Sequence, residues 1–182
     1  MLLPALLLVM TCVQARAGAD SLRAVWNNAA LPDSTRFRAI NAFYEGFSYS
    51  LPNQATQLAR AHYAFAQERS VPLEMARALN EQALQWLLAS QPDSALACLQ
   101  RERTLRTSLN DTAGVARLCA NMGTLYRQVG NFQESVRCYV LGLEHFRKHG
   151  DASTQARMLS GIAGAYQEVQ LYDLAMQCLN EA

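Results

Sequence analysis

The chain has 182 residues, 51% of them hydrophobic and 17% charged, and sixteen Lys+Arg against fifteen Asp+Glu leave a formal net charge of +1. That length holds one ordinary domain or one repeat array with a buried core. The balanced charge argues against a nucleic-acid binder, which needs a basic stripe to neutralise phosphates, and against an acidic disordered tail.

In chain order, the first element is a leader. Residues 1–13 read MLLPALLLVMTCV and carry no charge. They have the length of a signal-peptide hydrophobic region and fall short of the roughly 20 apolar residues that span a bilayer. Ala15 and Ala17 frame one A-x-A cleavage site, Ala17 and Ala19 a second that ends before Asp20. A signal peptide over 1–19 is expected, with an exported, periplasmic or membrane-associated location for the remainder. No later stretch has transmembrane length without charges.

The rest is predicted to be helical. Twenty-nine Ala and twenty-six Leu against nine Val and two Ile favour helices, because β-branched side chains lose rotamer freedom against the preceding turn. Pro32, Pro52, Pro72 and Pro92 stand 20 residues apart, and Asn110-Asp111, Gly130-Asn131, Gly150-Asp151 and Gln170-Leu171 continue the beat. Proline breaks a helix interior, while Gly suits a helix end and Asn or Asp a helix start. The predicted helices are 20–30, 34–49, 53–70, 73–90, 93–109, 112–129, 132–149, 152–169 and 172–182. Residues 20–32 form an N-terminal helix and linker, and 33–182 an array.

The helices recur in pairs. A shift of 40 aligns Ala83, Gly123 and Ala163; Trp86, Tyr126 and Tyr166; Ala95, Ser135 and Ala175; Leu99, Tyr139 and Leu179; Arg77, Arg117 and Arg157; and Cys98, Cys138 and Cys178. A period of this size marks a solenoid. The small residues at 83, 123 and 163 are expected to let the first helix approach its partner, with the aromatics at 86, 126 and 166 filling the gap beside them; those at 95, 135 and 175 let the second helix cross near it, with the large residue four positions on packing on the same face.

The stretch from Asn121 to Tyr139 resembles a tetratricopeptide repeat. Met122-Gly123, Tyr126, Gly130, Phe132, Ser135 and Tyr139 occupy its signature places, as do Ile162-Ala163, Tyr166, Gln170, Tyr172, Ala175 and Leu179 in the next unit, and Gln82-Ala83, Trp86, Ser90, Pro92, Ala95 and Leu99 in the preceding one. The resemblance implies an all-α, right-handed superhelical solenoid of antiparallel helix pairs, about three and a half to four repeats long with the last incomplete. The spacing is 40 where the family's usual period is about 34. The last small position of the second helix holds Ala182 and Gly142 but Glu102 in the second unit, where a large charged side chain clashes with the pattern.

No catalytic constellation, cofactor site or metal site is expected. His145 and His149 are spaced i, i+4, yet they sit beside Arg147 and Lys148 in a last helical turn, where cations suit the helix dipole. The recurring cysteines fall on helices separated by an intervening helix, too far apart for a disulfide, and read as small buried thiols.

By resemblance, the first helix of each hairpin lines a concave groove. Its side chains would be Arg77, Asn80 and Leu84, then Arg117, Asn121, Thr124 and Arg127, then Arg157, Ser160 and Gln167. Guanidinium forks suit carboxylates and peptide carbonyls. The expected role is a non-catalytic scaffold for a protein or peptide partner, with neither nucleic acid nor a membrane span in the chain. A signal followed by long repeats is similar to the extracytoplasmic sensor segments of bacterial histidine kinases and cyclases. The chain is therefore read as the sensing region of an exported signalling protein or, alternatively, as the N-terminal fragment of a sensor kinase or nucleotide cyclase whose catalytic domain lies beyond Ala182.

Overall fold

A computed structural model of the chain describes residues 17–149 and 151–182. The expected leader therefore lies outside the described residues except for its last three. Among the described residues the regular structure is helical throughout: α1 (17–27), α2 (Asp33–Phe47), α3 (Pro52–Glu68), α4 (Pro72–Leu88), α5 (Pro92–Ser108), α6 (Thr112–Gln128), α7 (Phe132–His149), α8 (Ala152–Glu168) and α9 (Tyr172–Glu181). From α2 to α9, every boundary falls within two residues of the one predicted from punctuation; α1 runs 17–27 against a predicted 20–30.

The twenty-residue beat has a backbone cause. Ser70, Ser90, Asn110, Gly130 and Gln170 all carry positive φ, between 53° and 78°. Around most of them two reversed bonds close the helix end. The amides of Gln91, Asp111, Asn131 and Leu171 donate to the carbonyls of Trp86, Arg106, Tyr126 and Tyr166, and those of Ser90, Asn110, Gly130 and Gln170 to Leu87, Thr107, Arg127 and Gln167. This is the left-handed cap that satisfies orphan helix carbonyls. The next helix starts at once. Pro52, Pro72 and Pro92 take its first position, where the missing amide costs nothing. Asp111 and Asp151 instead cap with their side chains, accepting from the amides of Gly114 and Thr154 at 2.8 and 3.0 Å.

The chain divides into two compact units after Ser70. In the first, α1 is held by aromatic packing. Trp26 meets Phe65 edge-on at 5.3 Å and His62 at 5.8 Å, and Phe37 lies 5.3 Å from Phe65 and 5.4 Å from His62. Arg36 lies over the Phe65 ring at 4.1 Å and donates to the Trp26 carbonyl at 2.9 Å. His62, fully buried, contacts the Tyr44 hydroxyl at 3.4 Å.

The second unit is three helix pairs: α4 with α5, α6 with α7, and α8 with α9, joined where α5 meets α6 and α7 meets α8. Ala83, Ala163, Ala95, Ser135 and Ala175 are all buried. The α6–α7 crossing shows why such positions are small. Ser135 Oγ donates to the Gly123 carbonyl at 2.8 Å, and a Cβ on Gly123 would lie 2.9 Å from the Tyr139 ring. The ring that fills the space over Gly123 is thus Tyr139, from the second helix. The aligned aromatics Trp86, Tyr126 and Tyr166 are half-buried and keep company with the cysteine series. Trp86 is hydrogen-bonded to the Cys98 thiol, Tyr126 lies in the field of Cys138, and Tyr166 and Cys178 pack on one apolar cluster. That cluster spans α6, α7 and α8 through Ala116, Ala120, Tyr139, Leu143, Phe146, Met158, Leu159 and Ile162.

Because Tyr139 is itself enclosed, the Gly123→Ala variant should lose about 1–3 kcal/mol by overpacking. Gly46→Ala, at a helical glycine with nothing within 4 Å of an added Cβ, should gain up to about 1 kcal/mol from helix propensity. Urea unfolding of the two variants beside the parent checks both signs.

Candidate functional site

The polar residues singled out in the sequence lie on the first helices α4, α6 and α8, along i, i+3/i+4 rows opposite the buried stripes. Arg77, Arg117, Asn121, Arg157, Ser160 and Gln167 are exposed; Asn80, Leu84, Thr124 and Arg127 are half-buried.

Three contacts bring this face together. Asn121 on α6 donates from Nδ2 to Asn80 Oδ1 on α4 at 2.8 Å. The Thr124 hydroxyl meets the Tyr139 hydroxyl at 2.8 Å, carrying a side chain of α7 to the same face. The Arg127 side chain lies 3.7 Å from where a Cβ on Gly164 of α8 would stand, and its Nε is enclosed without a hydrogen-bond partner. Thus Asn121, Thr124 and Arg127 on α6 reach, in turn, Asn80 on α4, Tyr139 on α7 and Gly164 on α8.

The three arginines of the ladder differ. Arg77 is tied to Glu74 at 2.6 Å. Arg117 lies in the field of Glu102, Asp111 and Asp151, and Arg157 in that of Asp151. The Asp151 carboxyl is held below its ordinary value by the Thr154 amide and hydroxyl that it caps, with Arg157 and Arg117 adding to the pull. At the end of α7 the His145 imidazole is pushed down by burial and by the positive charge of His149, Arg117 and Lys148. Its ring stacks on His149 at 4.2 Å, and His149 Nδ1 lies 2.7 Å from the His145 carbonyl. Ser160 spends its hydroxyl on the Ala156 carbonyl at 2.8 Å.

Burial lifts the thiols of Cys98, Cys119 and Cys138, the last to about 11, which leaves them poor nucleophiles. Among the described residues no three His, Cys, Asp or Glu side chains could share a metal ion, and no helix is long and apolar enough to cross a membrane.

One cluster escaped the sequence reading. Glu102, placed where the pattern wants a small residue, is 2% exposed and accepts from Arg106 Nε at 2.6 Å. Arg106 also donates from Nη1 to Asp111 Oδ2 at 2.6 Å. The clash expected at Glu102 is resolved by exchange of volume. At the equivalent joint, Gly142 makes room for Met158, whose Cε would sit 2.7 Å from an added Cβ. At the α5–α6 joint Glu102 is long and its counterpart Leu118 is short. Arg106 stands where the next unit has Phe146, and Gly114, where the next has Thr154, leaves the space that the guanidinium occupies. The signal was present: an i, i+4 Glu-Arg pair at two core positions of the repeat.

No protein-family model matches the sequence, and no curated protein matches it. Solved structures do. The chain is similar to BtubC (BKLC) from P. vanneervenii, with a TM-score of 0.72 and 11% identity over 90% of this chain and 68% of that one. It is also similar to MamA, with a TM-score of 0.51 and 14% identity over 90% of this chain and 89% of that one. The fold is that of a tetratricopeptide-like helical-repeat protein. In that light α4, α6 and α8 are the first helices of three successive repeats.

An exposed arginine and an enclosed one should behave differently on removal. Arg117→Ala should leave stability within about 0.5 kcal/mol of the parent. Arg106→Ala, which strips buried Glu102 of its hydrogen-bond donor, should cost about 2–4 kcal/mol at pH 8. Chemical unfolding of both variants at that pH is the comparison.

Proposed function

We propose that the protein is a non-catalytic scaffold that binds a protein or peptide segment along the face of α4, α6 and α8. The supporting observation is the polar face on which Asn121 of α6 bonds Asn80 of α4 and Arg127 of α6 lies beside Gly164 of α8, while Arg77, Arg117 and Arg157 stand exposed on the same helices. Amide side chains can pair with an extended backbone, and guanidinium groups with its carboxylates. A tetratricopeptide-like fold, shared with BtubC and MamA at low identity, supports a protein partner in general terms. The partner is a segment rich in Asp or Glu, because the exposed guanidinium groups of Arg117 and Arg157, unlike that of Arg77, are held by no close ion pair among the described residues.

An immobilised library of random twelve-residue peptides tests the reading. Bound sequences should be enriched in acidic residues, and the double variant Arg117→Ala, Arg157→Ala should lose at least about tenfold in affinity while unfolding at the parent's temperature. Equal binding by parent and double variant would remove the proposal.

We further propose that the chain is exported and serves as the sensing or interaction region of a signalling protein. The uncharged apolar run at 1–13 and the A-x-A sites at 15–19 support export. Mass spectrometry of the N-terminus after expression in a bacterium should find the first residue at Gly18 or Asp20; an intact Met1 speaks against export.

A further inference from the structure

The two joints between repeats in residues 71–182 are built from opposite chemistry. At α7–α8 the positions Gly142, Phe146 and Met158 are apolar and buried. At α5–α6 the equivalent space holds Glu102, Arg106 and, from the start of α6, Asp111. There two carboxylates share one enclosed guanidinium. The side chain of Glu102 is 2% exposed, that of Arg106 10% and that of Asp111 23%. Glu102 Oε2 is shut away from solvent with no hydrogen-bond partner. Asp111 has the Gly114 amide as well as Arg106, and it reaches water. An ionised Glu102 therefore leaves the enclosed group with an excess negative charge and an unpaired oxygen. A neutral one leaves Arg106 matched one-to-one by Asp111.

We propose that the α5–α6 joint is a proton-operated hinge, in which Glu102 takes up a proton from the medium on mild acidification and so tightens the stacking of the α4–α5 hairpin on the α6–α7 hairpin. The charged groups acting on Glu102 are Arg106 on its own helix and Asp111 and Arg117 from α6. On α4, which packs against α5, the buried carboxylates are Glu74, paired with Arg77, and Glu81, which accepts from Gln85 at 2.7 Å; neither is among the charges that act on Glu102. Burial raises the Glu102 carboxyl to about 7 in spite of the opposing pull of Arg106. Burial also works against Asp111, but the Gly114 amide and Arg106 outweigh it and hold that carboxyl below its ordinary value. Only one of the two carboxylates therefore titrates near neutrality.

The folded chain holds this proton more tightly than an unfolded one, whose glutamate titrates near 4.5. Stability from Glu102 is thus fully present below that value and is lost as pH rises through about 7. Asp111 contributes in the opposite sense and only at lower pH, so the two windows do not cancel. The inference is independent of the groove and of any partner.

Three measurements on the full chain test it. The side-chain carboxyl 13C signal of Glu102 should titrate with a midpoint near neutrality, and amides of residues 107–113 should exchange more slowly at pH 5.5 than at pH 8 after correction for intrinsic rates. The parent's melting temperature should also fall by roughly 5 °C over that range, with the fall largely gone in Glu102→Gln. Comparing the two chains removes the contribution of His62, His145 and His149. A Glu102 midpoint in the ordinary carboxylate range, or a Glu102→Gln variant as pH-dependent as the parent, overturns the proposal. The 13C measurement on the parent decides even where the variant does not fold.

Discussion

The second unit depends on close approach between the two helices of each pair. At α6–α7 the Gly123 carbonyl takes a hydrogen bond from Ser135 while the Tyr139 ring lies where a Cβ would be. Neither contact survives a larger residue at either small position, because packed interiors have no spare volume to absorb it. The same crossing sets the rest. It orients Tyr139 so that its hydroxyl emerges beside Thr124, and it places the opposite side of α6 next to α4 and α8. The polar face is therefore a by-product of a packing solution repeated at 40-residue intervals.

Between repeats the protein solves one volume problem in two ways. Gly142 admits Met158 at one joint; Glu102 binds Arg106, with Gly114 leaving room for the guanidinium, at the other. An apolar joint is indifferent to pH. An ionic joint with more carboxylate than guanidinium is not, because the low-dielectric interior penalises the unmatched charge. The Asp111 carboxylate belongs at once to this cluster and to the cap of α6. A change of charge at the joint thus reaches the start of the helix that carries Arg117, Asn121, Thr124 and Arg127.

The cations of the polar face are not equivalent. Arg77 is committed to Glu74, whereas Arg117 stands among Glu102, Asp111 and Asp151 on the exposed side of α6. A ligand that draws on Arg117 competes with Asp111 and Asp151 through solvent-screened fields, which cost little to replace. The thiols of Cys98, Cys119 and Cys138 take no part, since burial raises each of them and leaves it protonated.

Helix boundaries and pairing were written in the sequence. Local backbone chemistry decides them: Pro at a helix start, a left-handed residue after α3, α4, α5, α6 and α8, and small residues recurring every 40. These signals act within a few residues and need no tertiary contact to be read. Side-chain partners were not legible in the same way. The sequence set Glu102 against a pattern that wanted a small residue, but only the packed joint shows that Arg106 pairs with it and that Gly114 makes room for the guanidinium. It aligned Tyr126 with Gly123 by spacing, whereas the ring over Gly123 comes from Tyr139 on the next helix. The aromatic cage that closes on His62 draws Trp26, Phe37, Tyr44 and Phe65 from three helices with no common period. Periodicity encodes which face of a helix is buried; which atoms meet there depends on volume and charge supplied from elsewhere in the chain, and only the tertiary structure brings those together.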